Sequence, residues 1–127
     1  MMALQIAPTI KTPGIKFNPE EGFISITGIS IPEDTQDFFA PLHTELQKYL
    51  ANPAKETILE FRLEYFNTSS TLIIRDLIRK LRTINNKTDL KVKWCFEFED
   101  EDMKDAGEEF KMLFDDIKFE IIGVKNL

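Results

Sequence analysis

Three stretches of this chain alternate strictly between apolar and polar residues. From Thr57 to Phe66, Leu59, Phe61, Leu63 and Tyr65 fall on one face and Glu60, Arg62 and Glu64 on the other. From Leu90 to Phe98, Leu90, Val92, Trp94, Phe96 and Phe98 oppose Lys91, Lys93, Cys95 and Glu97. Near the end, Ile117, Phe119 and Ile121 alternate with Lys118 and Glu120. A period of two marks a strand buried on one side only. The central strands of a doubly wound sheet are buried on both faces and read as unbroken apolar runs. This pattern therefore predicts a sheet with its helices on one face and a polar, wetted face opposite.

The other elements follow from helical periodicity and from turn residues. Two short β runs, Ile15-Lys16-Phe17 and Phe23-Ile24-Ser25-Ile26-Thr27, flank a loop containing Pro19 and Gly22, which predicts a hairpin. Apolar positions at helical spacing predict helices over roughly Glu33–Leu50, Ser69–Ile84 and Asp102–Leu113. Pro41 lies inside the first and predicts a kink or a break there. The order is β-β-α-β-α-β-α-β: one α/β (α+β) domain over residues 1–127, with residues 1–12 an extended N-terminal arm. Strands joined through a helix are expected to be parallel.

The second helix begins in an unusual way. The strand ending Leu63-Glu64-Tyr65-Phe66-Asn67 runs directly into Thr68-Ser69-Ser70-Thr71. Backbone N–H groups are unpaired at a helix start and the dipole there favours negative charge. One reading is capping by Asn67 or Thr68, worth about 1 kcal/mol. Capping needs a single side chain, however, not four hydroxyls, and Ser and Thr are middling helix formers. A second reading is phosphoacceptance, which adds charge and three acceptor oxygens where the helix end tolerates them. A nucleophilic serine is the poorest reading, because activation needs a neighbouring base and the only histidine, His43, lies far off in sequence. Further along that helix, Arg75, Arg79 and Arg82 form an outward stripe whose default role is a solvated face.

Charge narrows the possible partners. The net charge is −6, and Glu97 to Glu109 alone holds eight acidic residues and one lysine. Such a patch repels phosphate backbones, which argues against nucleic-acid binding. Its spacing lacks the alternate acids and central glycine of a calcium loop, so it reads as a solvated loop capping the third helix. The lone Cys95 can form no internal disulfide or metal cluster. No apolar run approaches the roughly 18 residues of a membrane span, and the opening residues lack a signal-peptide plan. The expectation is a cytoplasmic protein with no membrane insertion, no metal, no cofactor and no catalytic residues.

The assembled segments resemble the SiaC family of bacterial regulatory phosphoproteins, from about Thr12 to Phe114. The motifs that carry the resemblance include Thr27-Gly28-Ile29-Ser30-Ile31-Pro32-Glu33, Phe38-Phe39 with Pro41-Leu42, Leu63 through Ser70, and Glu99-Asp100-Glu101-Asp102-Met103 leading to Ala106-Gly107-Glu108. Ile31 and Leu72 depart from the family pattern, where an aromatic residue and a lysine are expected. The resemblance implies a STAS-like fold and a partner-switching role. It implies reversible phosphorylation on Thr68 by a dedicated Ser/Thr kinase, reversed by a PP2C-type phosphatase, with Ser69 and Ser70 as secondary acceptors. It further implies that the unphosphorylated form binds and activates a GGDEF-type diguanylate cyclase, controlling cyclic di-GMP and biofilm formation. The same fold and switch with a transcriptional output, an anti-sigma-factor antagonist, is the alternative. The expected docking residues are Tyr65, Asn67, Thr68, Ser69, Ser70, Asp100, Glu101 and Asp102.

Overall fold

A computed structural model describes residues 2–127. Its strands are β1 (Leu4–Ile6), β2 (Gly14–Asn18), β3 (Phe23–Ser30), β4 (Glu56–Phe66), β5 (Asp89–Glu97) and β6 (Lys118–Val124). Its helices are α1 (Thr35–Ala51), α2 (Thr68–Arg82) and α3 (Glu101–Leu113). The strands form one sheet in chain order, antiparallel from β1 to β3 and parallel from β3 to β6. Strand β1 lies within the expected arm and extends the expected hairpin by one edge strand.

The alternating pattern becomes two apolar rows that cross all six strands. One runs Ile6, Ile15, Ile26, Phe61, Trp94, Ile121; the other runs Leu4, Phe17, Ile24, Leu59, Val92, Phe119. The helices bury Phe39, Leu42 and Leu46, then Ile74, Leu77 and Leu81, then Met103 and Phe110, against these rows in a single core. The opposite face carries the row Gln5, Lys16, Ser25, Glu60, Lys93, Glu120, with Lys91 and Glu120 paired at 2.8 Å. A mixed α/β sheet with one-sided helices is the expected architecture.

Three expectations need correction. Of the kink or break expected at Pro41, the break does not occur: helix α1 continues through it. Its apolar side chains Phe39, Leu42 and Leu46 are buried on the sheet, and that packing outweighs the lost hydrogen bond. Tyr65 does not share the buried face of β4. The β3–β4 register steps from Gly28↔Leu63 to Ile29↔Tyr65, skipping Glu64, and Gly28 takes a positive φ of 98° beside the step. The inserted residue reverses the alternation, so Tyr65 turns outward and Phe66 turns in against Trp94 and Phe110. Phe98 likewise lies beyond the end of β5 and is exposed; its ring covers Gly123 rather than joining the core.

Candidate functional site

Helices α1, α2 and α3 follow β3, β4 and β5, so all three helix starts lie at the carboxyl edge of the parallel strands. Each is capped by a side chain. Asp34 accepts from the Asp37 N–H at 3.0 Å, Asn67 from the Ser70 N–H at 3.0 Å, and Asp100 from the Met103 N–H at 3.1 Å. Crevices outside the carboxyl ends of parallel strands are where open α/β sheets place their binding sites.

The four hydroxyls of α2 take four different environments. Ser70 is 1% exposed; its hydroxyl donates to the Ser30 carbonyl at 3.0 Å and accepts from the Ser30 hydroxyl at 2.8 Å. Ser69 donates to Asn67 Oδ1 at 3.1 Å and accepts from the Thr35 hydroxyl, the first residue of α1, at 2.6 Å. Thr71 donates to the Asn67 carbonyl at 3.3 Å. Thr68 is exposed, occupies the first helical position, and its hydroxyl has no partner among the described residues. Asn67 is the cap, so the capping role is filled without Thr68. Two partners in this network, Ser30 and Thr35, escaped sequence reasoning, because nothing local marks a serine or threonine whose partner lies 34 or 40 residues away.

Around Thr68 the same edge exposes apolar side chains. Tyr65, turned out by the bulge, is 57% exposed, and Leu72, one turn into α2, is 58% exposed. Phe98 and Ile10 are exposed there as well. Ile10 sits in a turn closed by the Thr9 and Thr12 hydroxyls at 2.6 Å and held to the segment after β3 by the Ile31 N–H to Lys11 carbonyl bond at 2.8 Å. Glu101 and Asp102 are exposed in the first turn of α3, while Asp100 is half-buried as its cap. No hydrogen bond or ion pair joins Asp100, Glu101 or Asp102 to the Thr68 cluster among the described residues; what they share is the edge.

The arginine stripe is less uniform than expected. Arg79 is exposed and lies 3.9 Å from Asp76. Arg82 is 3.7 Å from Asp116, its guanidinium 5.2 Å above the Phe114 ring. Arg75 is half-buried in the groove between α2 and α3. His43 meets Lys80 at 3.0 Å on the α1–α2 seam, where burial and then the lysine charge hold its pKa below the ordinary value. Cys95 is buried on the polar face, and burial pushes its thiol pKa up, which keeps it protonated and inert. Among the described residues no group of three His, Cys, Asp or Glu side chains is placed to hold a metal ion, and no helix is long and apolar enough to cross a membrane.

Comparison with known proteins gives a consistent picture. An uncharacterized protein of Pseudomonas aeruginosa strain UCBPP-PA14 is 28% identical over 112 residues, covering 87% of this chain and 89% of its own. The crystal structure of apo-SiaC from P. aeruginosa superposes with a TM-score of 0.86 at 26% identity, covering 97% of this chain and 100% of that one. A second crystal structure, of the diguanylate cyclase SiaD in complex with its activator SiaC from P. aeruginosa, matches with a TM-score of 0.88 at 26% identity over 95% and 99% of the two chains. The model of the SiaC family of regulatory phosphoproteins matches residues 6–124. With nearly the whole sheet and all three capped helix starts inside that match, the chain belongs to the SiaC family of regulatory phosphoproteins.

Proposed function

We propose that this protein is a non-catalytic switch: unphosphorylated, it binds and activates a diguanylate cyclase, and phosphorylation of Thr68 releases it. The observation that carries the reading is the spare Thr68 hydroxyl. It is the one side-chain hydroxyl of the Thr68–Thr71 run that is both exposed and free of hydrogen bonds. Ser70 would have to leave the core before a kinase reached it, and Ser69 would have to give up two bonds, so Thr68 is the acceptor. The complex of SiaD with its activator SiaC supports a cyclase as the output. A dedicated Ser/Thr kinase and a PP2C-type phosphatase, acting in the cytoplasm, set the state.

Physical chemistry gives the direction of the switch. The docking face is Tyr65, Leu72 and Phe98 around Thr68, bordered by Glu101 and Asp102. A phosphate on Thr68 puts about −1.5 to −2 charges in the middle of that face. It must be desolvated on docking and adds to the negative charge of the acids on the same edge. A penalty of about 3 kcal/mol weakens binding more than a hundredfold.

The test is phosphopeptide mass spectrometry on protein from its own cells, with Thr68→Ala as control, together with calorimetric binding of both forms to the GGDEF-type cyclase of the same cells. Phosphate on Thr68, and a cyclase that binds only the unphosphorylated form, is the expected result. No phosphate on Thr68 under several growth conditions, or equal binding of both forms, rules the switch out.

A further inference from the structure

The chain has four arginines, and three of them are paired: Arg62 with Glu60 at 3.4 Å, Arg79 with Asp76 and Arg82 with Asp116. Arg75 has no ion pair with any described residue. Its Nε is enclosed by protein and makes no hydrogen bond, the one such buried side-chain polar atom among the described residues. A cationic N–H held away from water without an acceptor bears the full desolvation penalty. Native structures leave few such groups, and each calls for an explanation.

Its surroundings indicate what is missing. Arg75 lines a groove of about 270 Å³ between α2 and α3, together with Phe66, Thr71, Ala106, Glu109 and Phe110. Thr68, Thr71, Leu72 and Arg75 are spaced three and four apart, so they form one stripe along α2. Thr71, about one turn from Thr68, and Phe66, at the carboxyl end of β4, both line the groove, which brings it to the proposed docking edge. Glu109 lines the same groove yet forms no ion pair with Arg75.

We propose that this groove is a specificity pocket for a glutamate or aspartate side chain of the protein partner, read by the guanidinium of Arg75. The forked donors of a guanidinium match a carboxylate. Phe66, Ala106 and Phe110 shield the pair from water, which strengthens it. A phosphate dianion fits less well, because Glu109 on the opposite wall repels two charges where it tolerates one. The inference deepens the docking reading above, on which its second experimental arm rests.

The first arm uses the full chain alone. Blocked tripeptides acetyl-Leu-Glu-Leu-amide and acetyl-Leu-Gln-Leu-amide are titrated while NMR follows the Arg75 Nε–H and the amides of Thr71 and Ala106. The glutamate peptide is expected to shift all three and to bind at least about fivefold more tightly than the glutamine peptide. Arg75→Gln removes that preference. Arg75→Lys, which keeps the charge but lacks the fork, falls between and covers the case in which Arg75→Gln does not fold. Equal affinity for the two peptides, or no shift of these resonances up to about 10 mM peptide, overturns the pocket. In the second arm, Arg75→Gln weakens cyclase binding about tenfold. If wild-type protein fails to bind the cyclase, the functional reading falls and the peptides still decide the pocket. If wild type and Arg75→Gln bind the cyclase equally, the pocket falls and the functional reading stands.

Discussion

Asn67 Oδ1 accepts two hydrogen bonds, from the Ser70 N–H and the Ser69 hydroxyl, and through Ser69 it is tied to Thr35 at the start of α1. Replacing it with alanine removes the cap and one of the two hydrogen bonds of the Ser69 hydroxyl. Urea unfolding of Asn67→Ala is expected to show a loss of about 1–2 kcal/mol. Thr68→Ala removes a hydroxyl with no partner among the described residues, and the same measurement is expected to stay within about 0.5 kcal/mol of wild type. The contrast separates the capping residue from the proposed acceptor. The sequence displayed four adjacent hydroxyls and offered capping and phosphoacceptance as rival uses. The structure divides the roles: Asn67 caps, Ser69, Ser70 and Thr71 are bound locally or across the fold, and Thr68 alone is spare. That division depends on Ser30 and Thr35, which a local pattern could not bring to the site.

Strands and helices were legible wherever one periodicity held from end to end. Strand β5 alternates without interruption over Leu90, Val92, Trp94 and Phe96, and all four are buried. Strand β4 does not, because a bulge is decided by the partner's register; nothing in Leu63-Glu64-Tyr65-Phe66 says that Glu64 is skipped. Gly107, in the middle of α3, is a close approach: a Cβ there would run into the Trp94 ring, which its own Nε1–H bond to the Met103 carbonyl at 2.9 Å holds in place. Gly107→Ala therefore gains about 1 kcal/mol of helix propensity and loses roughly 1–3 kcal/mol to crowding. Net destabilisation in urea unfolding is the expected outcome, and net stabilisation would mean that Trp94 yields. On the α1–α2 seam, His43 is held neutral by burial and by Lys80, with Asp76 opposing. The unfolded chain therefore takes up a proton first as pH falls, starting near the ordinary imidazole value of about 6.5. Stability from this site is present above that value and is lost as pH drops through it toward the lower folded pKa. Melting temperatures at neutral and mildly acidic pH should fall less for His43→Gln than for wild type.

At the scale of the whole molecule, the two ends of the sheet are finished differently. At the amino edge, Tyr49, Thr57 and Thr88 form a closed relay that ends on the Ala54 carbonyl, with every hydroxyl proton committed. At the carboxyl edge three helix starts gather, and Thr68 remains uncommitted. A phosphate placed there faces the positive end of α2. Stoichiometrically phosphorylated protein is thus expected to melt no lower than unphosphorylated protein by calorimetry, while losing its partner. A large fall in melting temperature would make phosphorylation an unfolding signal rather than a change of surface. One-sidedness of the sheet was readable from three alternating strands; the convergence of helix starts was implied by strand–helix order. The apolar rim of Tyr65 and Phe98 is hidden in the sequence, because strict alternation puts both side chains on the buried face.

The strands stand in the sheet in the order in which they leave the ribosome. Each strand after β1 finds one neighbour already made, so assembly can proceed in the direction of synthesis. Helix α3 and β6 come last, and with them the acidic border of the proposed docking edge. A nascent chain that already displays Thr68 still lacks that border, so only the finished protein presents the whole surface that a partner would have to recognise.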